Sequence, residues 1–242
     1  MRWISKQGLI IAVTLLAASV SAGAQGVTVS GKLVPDRPKH SKASTGENVG
    51  DVVLWLTPKD EVAARNIPAP TPQRASLVQK DKEFHPKLLV LPAGSTVEFP
   101  NRDPFFHNVF SLFNGKRFDL GLYEAGESRT TRFERVGVSY IFCNIHPEMN
   151  AIIVTTSTPY YATSGKSGEF KIEGVLPGIY ELHIFADGLS TEAQRQVVRE
   201  VKVGGEQVSL RDIALPERQA PSRHANKYGR DYETPNSSPY EH

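Results

Sequence analysis

Short runs of alternating apolar and polar residues, separated by glycine and proline, are the dominant pattern of this chain. Beyond the N-terminal residues, no stretch repeats its apolar residues at the period of 3.6 that an amphipathic helix requires. The runs are rich in Val, Ile, Phe, Tyr and Thr, and turn signals such as Pro92-Ala93-Gly94 and Pro177-Gly178 separate them. Strands are predicted over 27–34, 52–57, 87–91, 96–99, 108–113, 129–134, 139–143, 151–155, 169–173, 179–185, 196–203 and 207–215. The pattern predicts an all-β fold, and the length suits two small β-sandwiches.

The N-terminal residues have the features of a secretory signal peptide. Arg2 and Lys6 give a positive start, residues 8–20 form an apolar stretch, and Ala22-Gly23-Ala24 offers a small-residue cleavage site. The predicted signal peptide is therefore 1–24. An uncleaved membrane anchor is the alternative, but the apolar run is short for a span. We expect a periplasmic or secreted protein with no membrane span after signal cleavage.

The charge balance argues against nucleic acid as a partner. The chain has 28 basic and 26 acidic residues, and the predicted signal peptide contains Arg2 and Lys6 but no Asp or Glu. The mature chain is therefore close to neutral at pH 7. Its basic residues alternate with acidic ones instead of clustering on one segment, so the basic footprint of a nucleic-acid-binding protein is missing from the sequence.

One cysteine, two histidines and one methionine form the most informative motif. Cys143 is the only cysteine, and Met149 is one of two methionines, the other being the initiator. His146 lies between them, and His107 stands upstream. One thiolate and two imidazoles with a weak axial thioether are the ligand set of a blue copper site. We therefore predict one type 1 copper ion bound by His107, Cys143, His146 and Met149.

Two other interpretations of this motif remain open. In the first, Cys143 is a small buried apolar residue, Met149 fills the core and His146 lies on the surface. In the second, the metal is zinc, although structural zinc sites use Cys, His and carboxylates, and a thioether is a poor zinc ligand. An unpaired thiol in an exported protein also needs an explanation, and a copper–thiolate bond provides one.

Several short motifs between residues 91 and 149 match the pattern of a known family. They are LPAGSTVEF at 91–99, Asn101, HNV at 107–109, GVSY at 137–140 and CNIHPEM at 143–149. With these motifs, the region 75–155 resembles the cupredoxins, the family of plastocyanin and amicyanin, and its Cys–His–Met spacing is most similar to that of amicyanin. The resemblance implies a Greek-key β-sandwich with the copper at one end.

The same resemblance assigns further roles near the ligands. It implies that the Asn108 side chain links the two ligand loops by hydrogen bonds and so supports the copper site. The segment 105–123 is longer and more aromatic than in small cupredoxins. In this respect it is similar to exported, plastocyanin-like bacterial proteins that are called methylamine utilisation proteins.

A second resemblance concerns the two ends of the chain. The segment 163–182 resembles the carboxypeptidase regulatory-like module, a transthyretin-like β-sandwich, but it is too short for a whole module. Residues 27–33 and 51–56 look like the opening strands of the same module. The resulting hypothesis is a copper domain inserted into this sandwich. The predicted divisions are 1–24 signal peptide, 25–60 first strands of the regulatory-like sandwich, 75–156 cupredoxin-like copper domain, 158–216 remainder of that sandwich and 217–242 disordered tail.

This insertion hypothesis makes a prediction about packing. If both ends of the chain complete one sandwich, Val29 and Trp55 should pack with Phe170 and Tyr180. Packing of Val29 and Trp55 on the cupredoxin core would contradict the insertion.

These features predict an electron carrier and no enzyme. His146 is the ligand expected at the surface, where an apolar rim of Pro104, Phe105, Ile145 and Pro147 would allow transient docking of redox proteins. The remaining histidines do not pair into the motifs of a multicopper oxidase, and no Ser-His-Asp arrangement stands out. Two alternatives are a copper-delivery protein without a redox role and an adhesive or carbohydrate-binding module.

Overall fold

The computed structural model describes residues 25–36, 49–112, 115–219 and 225–232, and within them the fold is all-β. The predicted signal peptide 1–24 lies outside the described residues. The strands are β1 Val27–Pro35, β2 Val53–Pro58, β3 Arg74–Ser76, β4 Val78–Lys80, β5 Glu83–His85, β6 Leu88–Pro92, β7 Ser95–Pro100, β8 His107–Ser111, β9 Phe118–Tyr123, β10 Ser128–Phe133, β11 Gly137–Cys143, β12 Asn150–Thr156, β13 Tyr161–Thr163, β14 Glu169–Val175, β15 Gly178–Phe185, β16 Arg199–Val203, β17 Val208–Ser209 and β18 Ile213–Leu215. Two short helices, α1 Glu61–Asn66 and α2 Thr191–Gln196, join strands of the fold.

Strands from the middle of the chain, β3 to β12, form one sandwich, which we call the central sandwich. One of its sheets has the order β10-β7-β3 and the other the order β6-β12-β11-β8-β9, and β4 pairs with β5 beside them. The alternate residues of these strands face inward and form one buried cluster that includes Val97, Phe99, Ile141 and Ile153. The cluster also contains Cys143 and Met149, so the predicted ligands belong to the core of this sandwich.

Strands from both ends of the chain share the sheets of a second sandwich, which we call the terminal sandwich. β1 pairs with β14, β17 and β18 in one sheet, and the other sheet has the order β13-β2-β15-β16. Val29 of β1 lies in the same buried cluster as Phe170 and Tyr180. β1 pairs with β14 and β2 pairs with β15, whereas the insertion and the domain boundaries stay predictions.

The prediction for Trp55 was wrong. Leu54 and Leu56 face the core of the terminal sandwich, so Trp55, which lies between them on β2, points to the opposite face of the sheet. There it packs against a small buried cluster of Val53, Ile152, Val154 and Phe185, which we call the interface cluster. Because Val53 and Phe185 come from the terminal sandwich and the other two from β12, this cluster joins the two sandwiches.

Neither helix was predicted from the sequence, and both begin at a capping side chain. The Asp60 carboxylate accepts from the Ala63 amide at 2.7 Å, and the Ser190 hydroxyl accepts from the Ala193 amide at 3.1 Å. Each helix has six residues, too few to show a helical period in the sequence. In the described part of the chain, neither helix is long and apolar enough to span a membrane.

Two parts of the predicted disordered tail, 217–219 and 225–232, make defined contacts. The Gln219 amide donates to the Gly188 carbonyl at 2.9 Å, and the Arg218 guanidinium donates to the Asp187 carbonyl at 2.9 Å. Residues 225–232 contact the central sandwich next to Cys143. The other residues of 217–242 lie outside the described part.

Candidate metal centre

Neighbouring strands and one tight loop bring the four predicted ligands to one end of the central sandwich. His107 begins β8, and Cys143 ends β11, opposite Val109 on the adjacent strand. The loop after β11 folds back, because the Met149 amide donates to the His146 carbonyl at 3.0 Å and the Cys143 amide donates to the Met149 carbonyl at 3.1 Å. This folding explains why residues only three and six positions after Cys143 return to its side.

The three strongest ligand atoms converge. The Sγ atom of Cys143 lies 3.5 Å from Nδ1 of His107 and 3.5 Å from Nδ1 of His146. The ligand atoms of the three residues all lie within 4.8 Å of one another. Met149 is fully buried in the same cluster as Cys143. His107 and Cys143 are fully buried too, whereas His146 is partly exposed.

These separations suit a single metal ion. With bonds of about 2.0 Å to nitrogen and about 2.3 Å to sulfur, donors about 120° apart lie about 3.7 Å from each other. The observed 3.5 Å between Cys143 Sγ and each Nδ1 is close to that value. A trigonal set of one thiolate and two imidazoles, with a thioether nearby, is the donor chemistry that copper favours. The residues present therefore fit a type 1 copper ion.

A buried carboxylate fixes the upstream histidine. Nε2 of His107 lies 2.8 Å from Oδ2 of Asp103, so Nε2 carries the proton and Nδ1 is free to face Cys143. Burial acts to raise the pKa of Asp103, but hydrogen bonds from the Lys82 amide, from His107 and from the Asp81 amide together lower it. Asp103 thus stays ionised and holds His107 in the tautomer that a metal requires.

Asn101 shapes the loop that carries this carboxylate. Its side-chain oxygen accepts from the Asp103 amide at 3.0 Å, and its side-chain nitrogen donates to the Phe105 carbonyl at 2.7 Å. Asn101 belongs to the motifs recognised in the sequence, whereas Asp103 was not predicted as a site residue. An acidic residue four positions before a predicted histidine ligand, in a loop with Pro104, is the signal that would have found it.

The support that Asn108 gives differs from the prediction. Its side chain donates to Asp119 at 2.6 Å and to the Gly121 carbonyl at 2.9 Å, so it binds β9. The hydrogen bond between the two ligand loops is made by the backbone, since the Asn144 amide donates to the Asn108 carbonyl at 3.0 Å. Asn108 therefore links the loops through its main chain and β9 through its side chain.

The electrostatics of the metal-free site favour a neutral thiol and a neutral imidazole. Burial raises the pKa of Cys143, although the amides of Asn108, Ile145 and His146 act to lower it. Burial also lowers the pKa of His146, and the neighbouring His107 and Lys82 lower it further. A bound cation would supply the charge that a buried thiolate needs.

His146 has apolar neighbours that are exposed in part. The Phe105 ring lies 5.4 Å from the His146 ring, measured between centroids. Ile145 is 44% exposed, and Pro104 and Pro147 are also exposed, as the predicted rim requires. Phe106, which was not part of the predicted rim, is 46% exposed and follows Phe105 in the chain.

Comparison with known proteins gives partial matches. Residues 145–208 match the family "Polysaccharide lyase family 4, domain II". The matched residues include much of the terminal sandwich. This match does not confirm the predicted carboxypeptidase regulatory-like module. Among curated proteins, no sequence matches this chain.

Solved structures similar to this chain include several cupredoxins. A purple cupredoxin from Nitrosopumilus maritimus is 26% identical, with a TM-score of 0.31, over 34% of this chain and 99% of its own. Amicyanin from Paracoccus versutus is 21% identical, with a TM-score of 0.32, over 42% of this chain and 98% of its own. A copper-containing nitrite reductase from Thermus scotoductus is 27% identical, with a TM-score of 0.33, over 41% of this chain and 27% of its own.

Proposed function

We propose that this protein is an exported type 1 copper protein that carries single electrons between redox partners. The observation that carries the proposal is the convergence of two Nδ1 atoms, each 3.5 Å from Sγ of Cys143, with Met149 buried in the same cluster. A bound copper ion supplies one-electron chemistry by cycling between Cu(I) and Cu(II). Export to the periplasm or beyond rests on the sequence of residues 1–24.

The surrounding residues suit this role because they hold the ligands in place. Asp103 and Asn101 fix the loop before His107, and the folded loop after β11 fixes His146 and Met149. A ligand set that is held in place changes little when the charge of the metal changes, which is what rapid electron transfer needs. In this proposed role the chain carries electrons and catalyses no reaction itself.

His146 is the proposed point of electron exchange. It is the predicted ligand that is partly exposed, with the Phe105 ring beside it and the exposed Ile145 directly before it in the chain. A small apolar patch of this kind suits weak and short-lived contact with redox proteins.

The proposed domain organisation follows the sheets. We propose that the copper domain, 75–156, forms the central sandwich and that 25–60 together with 158–216 forms the terminal sandwich, which the sheet pairing supports. The pairing of β1 with β14 and of β2 with β15 supports an insertion between β2 and β13.

Copper loading of the wild-type protein and of Cys143→Ser tests the proposal. We expect the wild type to retain one copper per chain and to give a reversible one-electron wave in voltammetry. We expect Cys143→Ser to lose the intense visible charge-transfer band, because serine has no thiolate sulfur. Persistence of the band in Cys143→Ser would contradict the ligand assignment. Rapid loss of copper to a weak chelator, without a reversible wave, would favour copper delivery instead.

Carbohydrate binding is a second candidate function, favoured by the match of residues 145–208 to a polysaccharide lyase domain. It predicts that the metal-free protein binds glycans and that Cys143→Ser binds them equally well. Absence of binding across a panel of plant and bacterial polysaccharides would exclude this function.

A further inference from the structure

Residues 225–232, which we call the strap, fold into a compact turn beside the metal centre. The side-chain oxygen of Asn226 accepts from the amides of Tyr228 and Arg230 at 3.0 and 3.1 Å, and the Asn226 amide donates to the Arg230 carbonyl at 2.8 Å. These hydrogen bonds give the turn a defined shape, so its outer side chains have defined positions.

The strap contacts the ligand loop at two consecutive residues. The Tyr232 hydroxyl donates to the Cys143 carbonyl at 2.7 Å, and the Lys227 amide donates to the side-chain oxygen of Asn144 at 2.9 Å. The carbonyl oxygen can only accept, so the Tyr232 hydroxyl is the donor of this hydrogen bond. One hydrogen bond from the strap therefore holds the carbonyl of Cys143, and the other holds the side chain of Asn144.

The strap also contacts the strand that supports the upstream ligand. Nζ of Lys227 lies 2.8 Å from Oδ2 of Asp119 on β9, and the Lys227 side chain is only 21% exposed. The other carboxylate oxygen of Asp119 accepts from the Asn108 side chain at 2.6 Å. Because Asn108 follows His107 directly, the ion pair connects the strap to the residue beside that ligand.

We propose that Tyr232 and Lys227 are positioning residues of the metal centre. Through them the strap binds the loop after β11 and, by way of Asp119, the strand that carries His107. The inference rests on the proposed copper function but adds a part of the chain that lies far from the ligands in sequence. Tyr232 fixes the carbonyl of Cys143 and hence the direction of its side chain. Lys227 fixes Asn144 on one side and Asp119 on the other.

Replacement of single hydroxyl groups tests the strap. Tyr232→Phe removes the donor to Cys143 but keeps the ring, and Tyr161→Phe is the matched control because Tyr161 lies on β13 of the terminal sandwich. In the copper-loaded protein, we expect Tyr232→Phe to lose copper to excess chelator about fivefold faster, the factor that one hydrogen bond contributes. We also expect a lower reduction potential, since the positive end of the hydroxyl dipole no longer opposes the oxidised state. Tyr161→Phe should match the wild type in both measurements.

Hydrogen exchange of the metal-free protein separates this inference from the copper proposal. The amides of Asn144 and Lys227 should exchange faster in Tyr232→Phe than in the wild type, with or without copper binding. If the wild type binds no copper, the proposed function fails and the exchange rates alone decide whether the strap holds the loop. If Tyr232→Phe has wild-type exchange, copper loss and potential, the positioning role is overturned.

Discussion

Among single residues, Asp103 supports the metal centre without being a predicted ligand. Its two oxygens accept from Nε2 of His107 and from the amides of Asp81 and Lys82. A carboxylate in this position orients the imidazole and adds negative charge next to the metal. It therefore favours the more positive, oxidised state of a bound copper.

Replacement of Asp103 by Asn should weaken Cu(II) binding by about 10- to 100-fold, as is usual for partners of metal-binding histidines. Asparagine lacks the negative charge of the carboxylate. Its NH₂ group would also face either Nε2 of His107 or the backbone amides of residues 81 and 82, which are themselves donors. Affinity is measured by competition with a chelator. Asp81→Asn is the control, because the Asp81 side chain is exposed and asparagine tolerates its positive φ of 58°. Equal affinity of Asp103→Asn and wild type would contradict this role.

The metal-centre residues differ in how far the sequence could reveal them. Cys143 and Met149 are conspicuous because their residue types are rare in this chain, and their spacing to His146 fits one loop. Tyr232 could not be found in this way, since its partner Cys143 lies 89 residues away and no local pattern connects them. Contacts of this kind depend on the tertiary fold.

Among the elements, helix α1 packs against the start of β15 with almost no space between them. A Cβ atom at Gly178, where φ is 155°, would lie 2.6 Å from the Cβ atom of Ala63 and 3.0 Å from its Cα atom. The Asp60 carboxylate joins the same two elements, because it caps α1 and accepts from the Ile179 amide at 3.1 Å.

Gly178→Ala should lower the free energy of unfolding by about 1–3 kcal/mol. The new methyl group would collide with Ala63, and alanine rarely adopts the backbone conformation of Gly178. Urea unfolding measures the change. Gly204→Ala is the control: in the described part of the chain no heavy atom lies within 4 Å of a Cβ there. We expect that control to stay within about 0.5 kcal/mol of the wild type. Equal loss in both variants would contradict the packing argument.

The sheet of β2 and β15 contains a histidine that makes stability depend on pH. His183 stacks on Trp55 at 5.5 Å between ring centroids, and its Nε2 lies 2.8 Å from Oγ1 of Thr57. Burial lowers the pKa of His183, with Glu181 opposing the shift. The folded state therefore binds a proton at His183 less readily than the unfolded chain, and stability falls as pH drops below about 6.5.

His183→Gln should reduce this pH dependence. The difference in urea midpoint between about pH 7.5 and about pH 5 should be smaller in the variant than in the wild type, since glutamine does not titrate there. An unchanged difference would show that His183 does not contribute.

Among the elements, long strands could be predicted from the sequence, whereas helices and strands of two or three residues could not. The strand predicted over 27–34 corresponds to β1, and the strand predicted over 139–143 forms the larger part of β11. Residues 196–203 were predicted as one strand, yet Gln196 ends α2 and the strand begins at Arg199. Strands of three residues, such as β3 and β13, are too short to alternate visibly, and their pairing with distant strands places them.

For the whole molecule, the interface cluster decides whether the two sandwiches behave as one unit. Phe185 of the terminal sandwich is 5% exposed and lies in the same cluster as Ile152 and Val154 of the central sandwich. The Tyr140 hydroxyl adds a hydrogen bond to Asp187 across the same boundary, at 3.3 Å. Burial of apolar surface between the sandwiches couples their unfolding.

Calorimetry of Phe185→Ala tests this coupling. We expect the wild type to unfold in one transition that copper shifts upward, because a ligand that binds only the folded state stabilises every part that unfolds with it. Phe185→Ala should lose about 3–5 kcal/mol and separate the transition into two, of which copper shifts one. Val62→Ala is the control, since Val62 is 56% exposed on α1. Two transitions in the wild type, with copper shifting one, would contradict the coupling.

The visible and electron paramagnetic spectra of the mature chain with one equivalent of Cu(II) decide whether His107, Cys143, His146 and Met149 form a blue copper site. We predict an intense visible band and a narrow copper hyperfine splitting that both saturate at one copper per chain. Both features are expected of copper bound by one thiolate and two imidazoles with a weak thioether. A spectrum typical of tetragonal Cu(II), without the intense band, would contradict the proposed site.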